Sequence, residues 1–281
     1  MRVKIGVIAD IHIAPSGIDP VTWHNELRFE DAAVRFDMAL EACANWADFI
    51  VVLGDLTHLG DEASLVRAVT AAATKANCPV LLVLGNHDAI ASAACLPELV
   101  KQHGRGIVQM ASPIGELVAP GVRVAGLPID TRDGGFSAYA TALPRTDSWG
   151  TDTVVWLTHY PVISRAAVAD EAGLRYAGDL DALHVSSSAL LDRLAPTIAL
   201  CGHLHIRDHW HDSSLLQIAS ASLIEPPFEF ALLELATGNG EIRADVWHET
   251  VAPSPQATLP VLAPDSSAWR FAHGTWSEAT T

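Results

Sequence analysis

The stretch Val3-Lys4-Ile5-Gly6-Val7-Ile8-Ala9-Asp10-Ile11-His12 is an aliphatic, β-branched run that stops at two polar residues. It reads as a buried strand, and on extended backbone an Asp and a His two positions apart point to the same side. The same pattern returns four times. Residues 49–53 run into Gly54-Asp55-Leu56-Thr57-His58, and residues 80–84 into Gly85-Asn86-His87-Asp88. Residues 154–157 run into Thr158-His159-Tyr160-Pro161, and 197–201 into Gly202-His203-Leu204-His205. A sixth predicted strand, residues 122–127, has no such turn.

Between the first three strands lie Ala-rich segments of helical period, residues 30–46 and 63–76, the second with Asp61 as its expected N-cap. Successive β-α-β units follow, and a short helix is expected near residues 96–102. Beyond Gly202 the pattern turns to strands: 209–219, 230–235 and 241–248 read as antiparallel, with Gly238-Asn239-Gly240 as a hairpin turn. Residues 1–250 form the expected catalytic domain. Residues 251–281, rich in Pro, Ser, Ala and Thr, read as an extended tail that Trp269, Phe271 and Trp276 anchor on the body or on another subunit. No internal repeat is present.

Of 281 residues, 49% are hydrophobic and 18% charged, which excludes a mainly disordered chain. Lys and Arg number 17 against 33 Asp and Glu, a formal charge of -16, so a broadly basic nucleic-acid-binding surface is excluded. The four cysteines, Cys43, Cys78, Cys95 and Cys201, lack a Cys-x-x-Cys pair, so neither a disulfide scaffold nor a thiolate zinc site is indicated. With no secretory leader and no apolar run long enough to span a bilayer, the expected location is the cytoplasm, and no membrane partner is expected.

Each polar turn alone has an ordinary reading. Asp55 serves equally as a helix cap or as a carboxylate bridging two cations, and a single His at a strand end is more often structural. Together they are different, because open α/β sheets gather their ligands at the carboxyl ends of their strands. Asn86 offers an amide oxygen to a hard cation, and His87 beside a carboxylate is a candidate proton donor. Two cations about 3.5 to 4 Å apart can share a bridging carboxylate and a hydroxide. Carboxylate, amide and imidazole without thiolate suit manganese, iron or zinc.

In this order, Asp-x-His, Gly-Asp, Gly-Asn-His-Asp, His and Gly-His-x-His resemble the calcineurin-like metallophosphoesterase superfamily over residues 1–250. The resemblance implies a four-layer α/β/β/α sandwich, two packed mixed sheets flanked by helices, with a binuclear centre at one rim. It implies that Asp10, His12, Asp55 and His205 hold one metal, and Asp55, Asn86, His159 and His203 the other, with Asp55 as the bridge. His87 matches the family's catalytic histidine, which contacts the substrate's phosphoryl oxygens or protonates the leaving group by in-line chemistry, and Asp88 is expected to orient it. Manganese or an iron and manganese pair is favoured by the resemblance.

Branches of the superfamily differ at identifiable residues. The protein Ser/Thr phosphatases carry Gly-Asp-x-x-Asp-Arg-Gly and Gly-Asn-His-Glu, unlike residues 54–60 and 85–88 here. No Tyr stands between Asp55 and Asn86 to match the purple acid phosphatases, and His87 stands where lipid-A-precursor hydrolases usually carry Arg. The pattern is most similar to bacterial cyclic-nucleotide and glycerophosphodiester phosphodiesterases, except that His58 replaces their usual Asp. His58 reads as a partner of the ligands, a substrate contact or a solvated turn residue. The expected activity is hydrolysis of a small phosphodiester, with a phosphomonoesterase, a repair-type nuclease or a non-catalytic scaffold as alternatives, and with a homo-oligomer left open.

Candidate walls of the site are loops 13–28, with Trp23, His24 and Asn25, and 130–149 and 164–186. His209, His211 and His248 read as surface or satisfied core residues. Trp46, Trp156 and Trp247 are expected in or near the core. Glu225-Pro226-Pro227-Phe228 resembles a segment of related phosphodiesterases, but its own chemistry suggests only a stiff turn.

Overall fold

The computed structural model describes residues 1–90, 96–127, 129–130, 137–138, 149–150, 152–179, 197–238, 240–252 and 261–279. In chain order the elements are β1 (Arg2–Ile8), α1 (Ala32–Ala44), β2 (Phe49–Val52), α2 (Glu62–Lys75), β3 (Val80–Leu82), α3 (Leu96–His103) and β4 (Val108–Met110). There follow β5 (Glu116–Ala119), β6 (Val122–Gly126), β7 (Ile129–Asp130), β8 (Ser137–Ala138), β9 (Thr153–Leu157), α4 (Ala166–Glu171) and β10 (Thr197–Cys201). The chain finishes with β11 (Asp208–His211), β12 (Leu215–Ala219), β13 (Glu229–Gly238), β14 (Glu241–Thr250), β15 (Ser266–Ala272) and β16 (Thr275–Glu278).

Two mixed sheets result. The larger has the order β16-β15-β14-β13-β1-β2-β3-β4, the smaller β11-β12-β10-β9-β6-β5, and β7 pairs with β8 apart from both. From β1 to β4 the large sheet is parallel, as β-α-β units require, and from β1 through β13 to β16 it is antiparallel.

Alternation along the strands sorts the core into layers. Ile8, Ile50, Val52, Val80 and Leu82 point to one side of the large sheet, where Phe36 and Leu40 of α1 and Leu65 and Val69 of α2 cover them. Asp61 caps α2, accepting from the Ser64 amide at 2.9 Å. Val3, Ile5, Val7, Phe49 and Val51 point the other way, against Val122, Val155, Ile198 and Leu200 of the small sheet. Trp156, 1% exposed, lies on the far side of the small sheet with Trp149 and Tyr160. These are the layers of an α/β/β/α sandwich. Among the described residues the fourth layer holds a single short helix, α4, whose Ala169 packs on Leu204 and Ile206.

Several sequence expectations need correcting. The single strand expected at 209–219 is two, β11 and β12, because Asp212 accepts from the Ser214 and Leu215 amides and turns the chain. β12 then pairs in parallel with β10 rather than antiparallel. The stretch expected as an extended tail instead builds β15 and β16 onto β14, with Trp269, Phe271 and Trp276 all buried in the layer between the sheets. Trp247 is 38% exposed and meets Trp46 edge-on at 6.0 Å, outside the core. Among the described residues no helix is long and apolar enough to cross a membrane. Cys43, Cys78 and Cys201 are free thiols, while Cys95 lies outside the described residues.

Candidate metal centre

All five polar turns come together at the carboxyl ends of β1, β2, β3, β9 and β10. Strand alternation does not aim them. β1 ends at Ile8 and β10 at Cys201, and Asp10, His12, Asp55, His203 and His205 all have φ between 50° and 70°. The left-handed region disfavours a Cβ, so five strained residues in one place mark a site where geometry has been chosen over comfort. The expectation that Asp10 and His12, or His203 and His205, share a side because their backbone is extended is therefore replaced by left-handed turns that bring them together.

Backbone amides fix the carboxylates. The His203 amide donates to both Asp10 oxygens at 3.0 Å, and the His87 amide donates to Asp55 Oδ1 at 2.9 Å. Asp55 Oδ2 is left facing His12 Nε2 at 3.5 Å and His159 Nε2 at 3.4 Å. Glycine is required beside it, since a Cβ on Gly85 would stand 2.0 Å from Asp55 Oδ1.

The donors fall into groups on either side of Asp55. Asp10, His12 and His205 gather on one side, with His205 Nε2 3.8 Å from Asp10 Oδ1. His159 and His203 gather with Asp55 on the other, and Asn86 Oδ1 joins them 3.0 Å from His159 Nε2. The structure thus brings together all seven residues expected as ligands.

Electrostatics fit a cation. Burial alone would raise the Asp55 carboxyl, but His159, facing its Oδ2, outweighs burial and holds Asp55 well below the usual carboxylate range. Burial would likewise depress His159, yet Asp55 lifts it to about 9. Both His159 nitrogens face acceptors, Leu53 O at 2.8 Å and the oxygens of Asn86 and Asp55, so the space around its Nε2 favours positive charge. Burial raises Asp10 to about 6 and depresses His203 to about 3. His12 is depressed well below its ordinary value by burial, and its Nε2 is buried without a hydrogen-bond partner. A neutral imidazole nitrogen, orphaned in the interior and aimed at a carboxylate, has the character of a metal ligand. The donor set, two carboxylates, one amide and four imidazoles, suits two divalent transition ions.

His87 and Asp88 divide differently from expectation. Asp88 is wholly buried and accepts from the amides of Gly85, Leu56 and Thr57 and from the Thr57 hydroxyl, at 2.9 to 3.2 Å. It clamps two polar turns together and does not orient His87. That task falls to the His58 carbonyl, which accepts from His87 Nδ1 at 2.8 Å. His58, whose role the sequence left open, touches both His87 and His12: its Nδ1 lies 3.3 Å from His12 Nδ1. Burial and the neighbouring His87 hold His58 down at about 4.

Sequence reasoning missed Glu225. Its carboxylate is wholly buried, meets His205 Nδ1 at 3.0 Å through Oε2, and binds the Asn25 amide and side chain through Oε1. A carboxylate on the outer nitrogen of a liganding imidazole fixes its tautomer and raises its basicity. The available signal was an acidic residue in an otherwise apolar run, 223–228. Among the expected walls, Val21, Trp23 and Leu27 of loop 13–28 and Ala177 of loop 164–186 face the donors. Loop 130–149 lies almost wholly outside the described residues, as do residues 180–186. His209 and His248 face each other through Nε2 atoms 3.0 Å apart, and His211 lies exposed against Trp269.

Residues 3–207 match the family model described as calcineurin-like phosphoesterase. No curated protein matches the chain in sequence. Among solved structures, a Thermus thermophilus protein aligns over 89% of this chain and 100% of its own, at 11% identity and a TM-score of 0.56. A purple acid phosphatase from yellow lupin (Lupinus luteus) seeds aligns over 95% of this chain and 53% of its own, at 14% identity and a TM-score of 0.50. Both likenesses are of fold.

Proposed function

The chain belongs to the calcineurin-like phosphoesterase family, and from that premise we propose that it is a two-metal hydrolase of small phosphodiesters. The observation that carries the reading is Asp55 Oδ2, set between His12 Nε2 and His159 Nε2 at near-equal distances of 3.5 and 3.4 Å. In this reading Asp10, His12, Asp55 and His205 hold one cation and Asp55, Asn86, His159 and His203 the other. When bound, two such ions supply an activated water and neutralise charge on the phosphoryl oxygens. Manganese or an iron and manganese pair is the proposed content, with zinc as the competitor, and metal analysis of native protein decides among them.

The protein's own part is positioning and proton transfer. His87 lines the cleft, and its Nδ1–H is fixed on the His58 carbonyl, so Nε2 is the atom that exchanges a proton with the leaving oxygen. Buried carboxylates held by backbone amides need no reorganisation as charge moves in the reaction.

Preference for a diester is supported by charge. Among the described residues lining the cleft there is no Lys or Arg, and Asp55 is the one carboxylate. A diester monoanion asks less positive charge of such walls than a monoester dianion does. The test compares bis-p-nitrophenyl phosphate with p-nitrophenyl phosphate in the presence of manganese. Faster turnover of the diester is expected. A preference for the monoester overturns the diester reading, and turnover of neither favours a scaffold.

A further inference from the structure

The lining of the cleft beside the donors is of two chemical kinds. His58, His87 and several of the donors line it together with the carbon surface of Val21, Trp23, Leu27 and Ala177, around a volume of 190 Å³. Loop 13–28 is pinned where it forms this apolar wall. Leu27 N donates to Val21 O at 2.8 Å, and Arg28 N to Ile224 O at 3.0 Å. Asn25 is tied to Glu225, and through that carboxylate to His205.

Trp23 shows what the wall can recognise. Its one polar atom, Nε1, is committed to the Leu204 carbonyl at 3.2 Å. The Arg175 guanidinium lies over the indole at 5.6 Å from the ring centroid and donates to Thr22 O at 3.3 Å, which holds the ring in place. What remains of Trp23 for the cleft is therefore apolar surface. The apolar wall itself, Val21, Trp23, Leu27 and Ala177, offers no free side-chain donor or acceptor to a polyol arm, and burying hydroxyls against it unpaired is costly.

We propose that this cleft is a subsite for an uncharged, apolar ester group of the substrate, with Trp23 as the residue that sets the preference. The proposal rests on the phosphoesterase reading, because it places the phosphoryl group at the centre that the seven donors would hold and one ester arm against Trp23. Substrates with aromatic or alkyl arms are then favoured over those with polyol arms.

Methylphosphonate and phenylphosphonate carry the same phosphoryl group and differ in one apolar arm. Their affinities for the manganese-loaded full-length protein are measured by calorimetry, and their inhibition constants against bis-p-nitrophenyl phosphate by kinetics. Phenylphosphonate is expected to bind at least about tenfold tighter, since it buries an additional ring. Trp23→Phe keeps that ratio, and Trp23→Ala brings it toward one. Val21→Ser, at the rim, reduces it severalfold without disturbing the Trp23 hydrogen bond. Equal binding of the two phosphonates, or a ratio unchanged in both Trp23→Ala and Val21→Ser, overturns the subsite. Turnover with no phenyl advantage keeps the phosphoesterase reading and removes the subsite. A Trp23-dependent phenyl advantage without turnover of any ester does the reverse.

Discussion

The imidazole of His58 stacks on that of His87, with ring centroids 4.9 Å apart and 22° between the planes. The same residue gives His87 its hydrogen-bond acceptor and places its own Nδ1 against His12, so it supports both a candidate ligand and the candidate proton donor. It does so with side chain and backbone separately, and substitution can tell the two apart.

His58→Ala removes the stacked ring but leaves the carbonyl. We expect kcat for bis-p-nitrophenyl phosphate to fall about tenfold while the metal content falls less, because the His58 ring meets His12 at Nδ1, away from the Nε2 that faces Asp55. If metal is lost in proportion to activity, His58 acts through His12 alone.

His87→Ala is expected to retain both metals and to lower kcat by about a hundredfold or more, the usual worth of a positioned proton donor. Asp55→Ala is expected to lose both metals, since its one free oxygen faces both donor groups. Metal content by mass spectrometry, read beside kcat, separates the two. Equal metal loss in both variants contradicts the division.

Glu225→Gln keeps the shape of the side chain and removes its charge from His205 Nδ1. Metal affinity is expected to weaken about 10- to 100-fold. Equilibrium dialysis against a buffered metal series checks this, and an unchanged affinity would show that Glu225 serves only to seat loop 13–28.

Away from the site, His209 and His248 form a pair between the sheets, with Ser267, Trp269 and Arg207 around them. Burial, reinforced by Arg207, holds His209 at about 4, and burial holds His248 well below its ordinary value. Unfolded imidazoles titrate near about 6.5, so between that pH and about 4 the unfolded chain binds more protons. Stability from this pair is present above about pH 6.5 and is lost as pH falls toward 4. Denaturant midpoints at pH 7 and pH 5 should differ less in His209→Gln than in the natural protein. An equal difference in both would remove the pair from the acid response.

Trp276 is 2% exposed, packs on Phe271 at 5.4 Å and donates from Nε1 to Ser214 O at 3.2 Å. Trp276→Ala is expected to cost about 3 to 5 kcal/mol in stability. A loss below about 1 kcal/mol by chemical denaturation would mean that the C-terminal hairpin is an ornament on the large sheet rather than part of its core.

The sequence made β1, β2 and β3 of the parallel half legible because each was an aliphatic run closed by a polar turn, whereas β4, three residues with Gln109 at its centre, carried no such signal. All seven donors were legible for the same reason, each standing within a few residues of a strand end. The C-terminal hairpin was not, since Ser266–Ala272 holds two serines and an arginine among its apolar residues and alternates only in part. Such a strand is revealed by the partner it pairs with, β14, more than by its own composition. Glu225 was hidden for another reason. Its value depends on His205, twenty residues earlier, and no local pattern records a contact across that distance. Asp88 misled because adjacency to His87 in sequence suggested adjacency in space, whereas the turn sends its carboxylate back toward Leu56 and Thr57.

β1 lies in the middle of its sheet, between β2 and β13, and β13 begins only at Glu229. A ribosome must therefore deliver most of the polypeptide before the first strand finds its second neighbour. Until then a nascent chain carries a half-built sheet with a bare row of amides and carbonyls, the kind of edge that chaperones shield and that aggregation exploits.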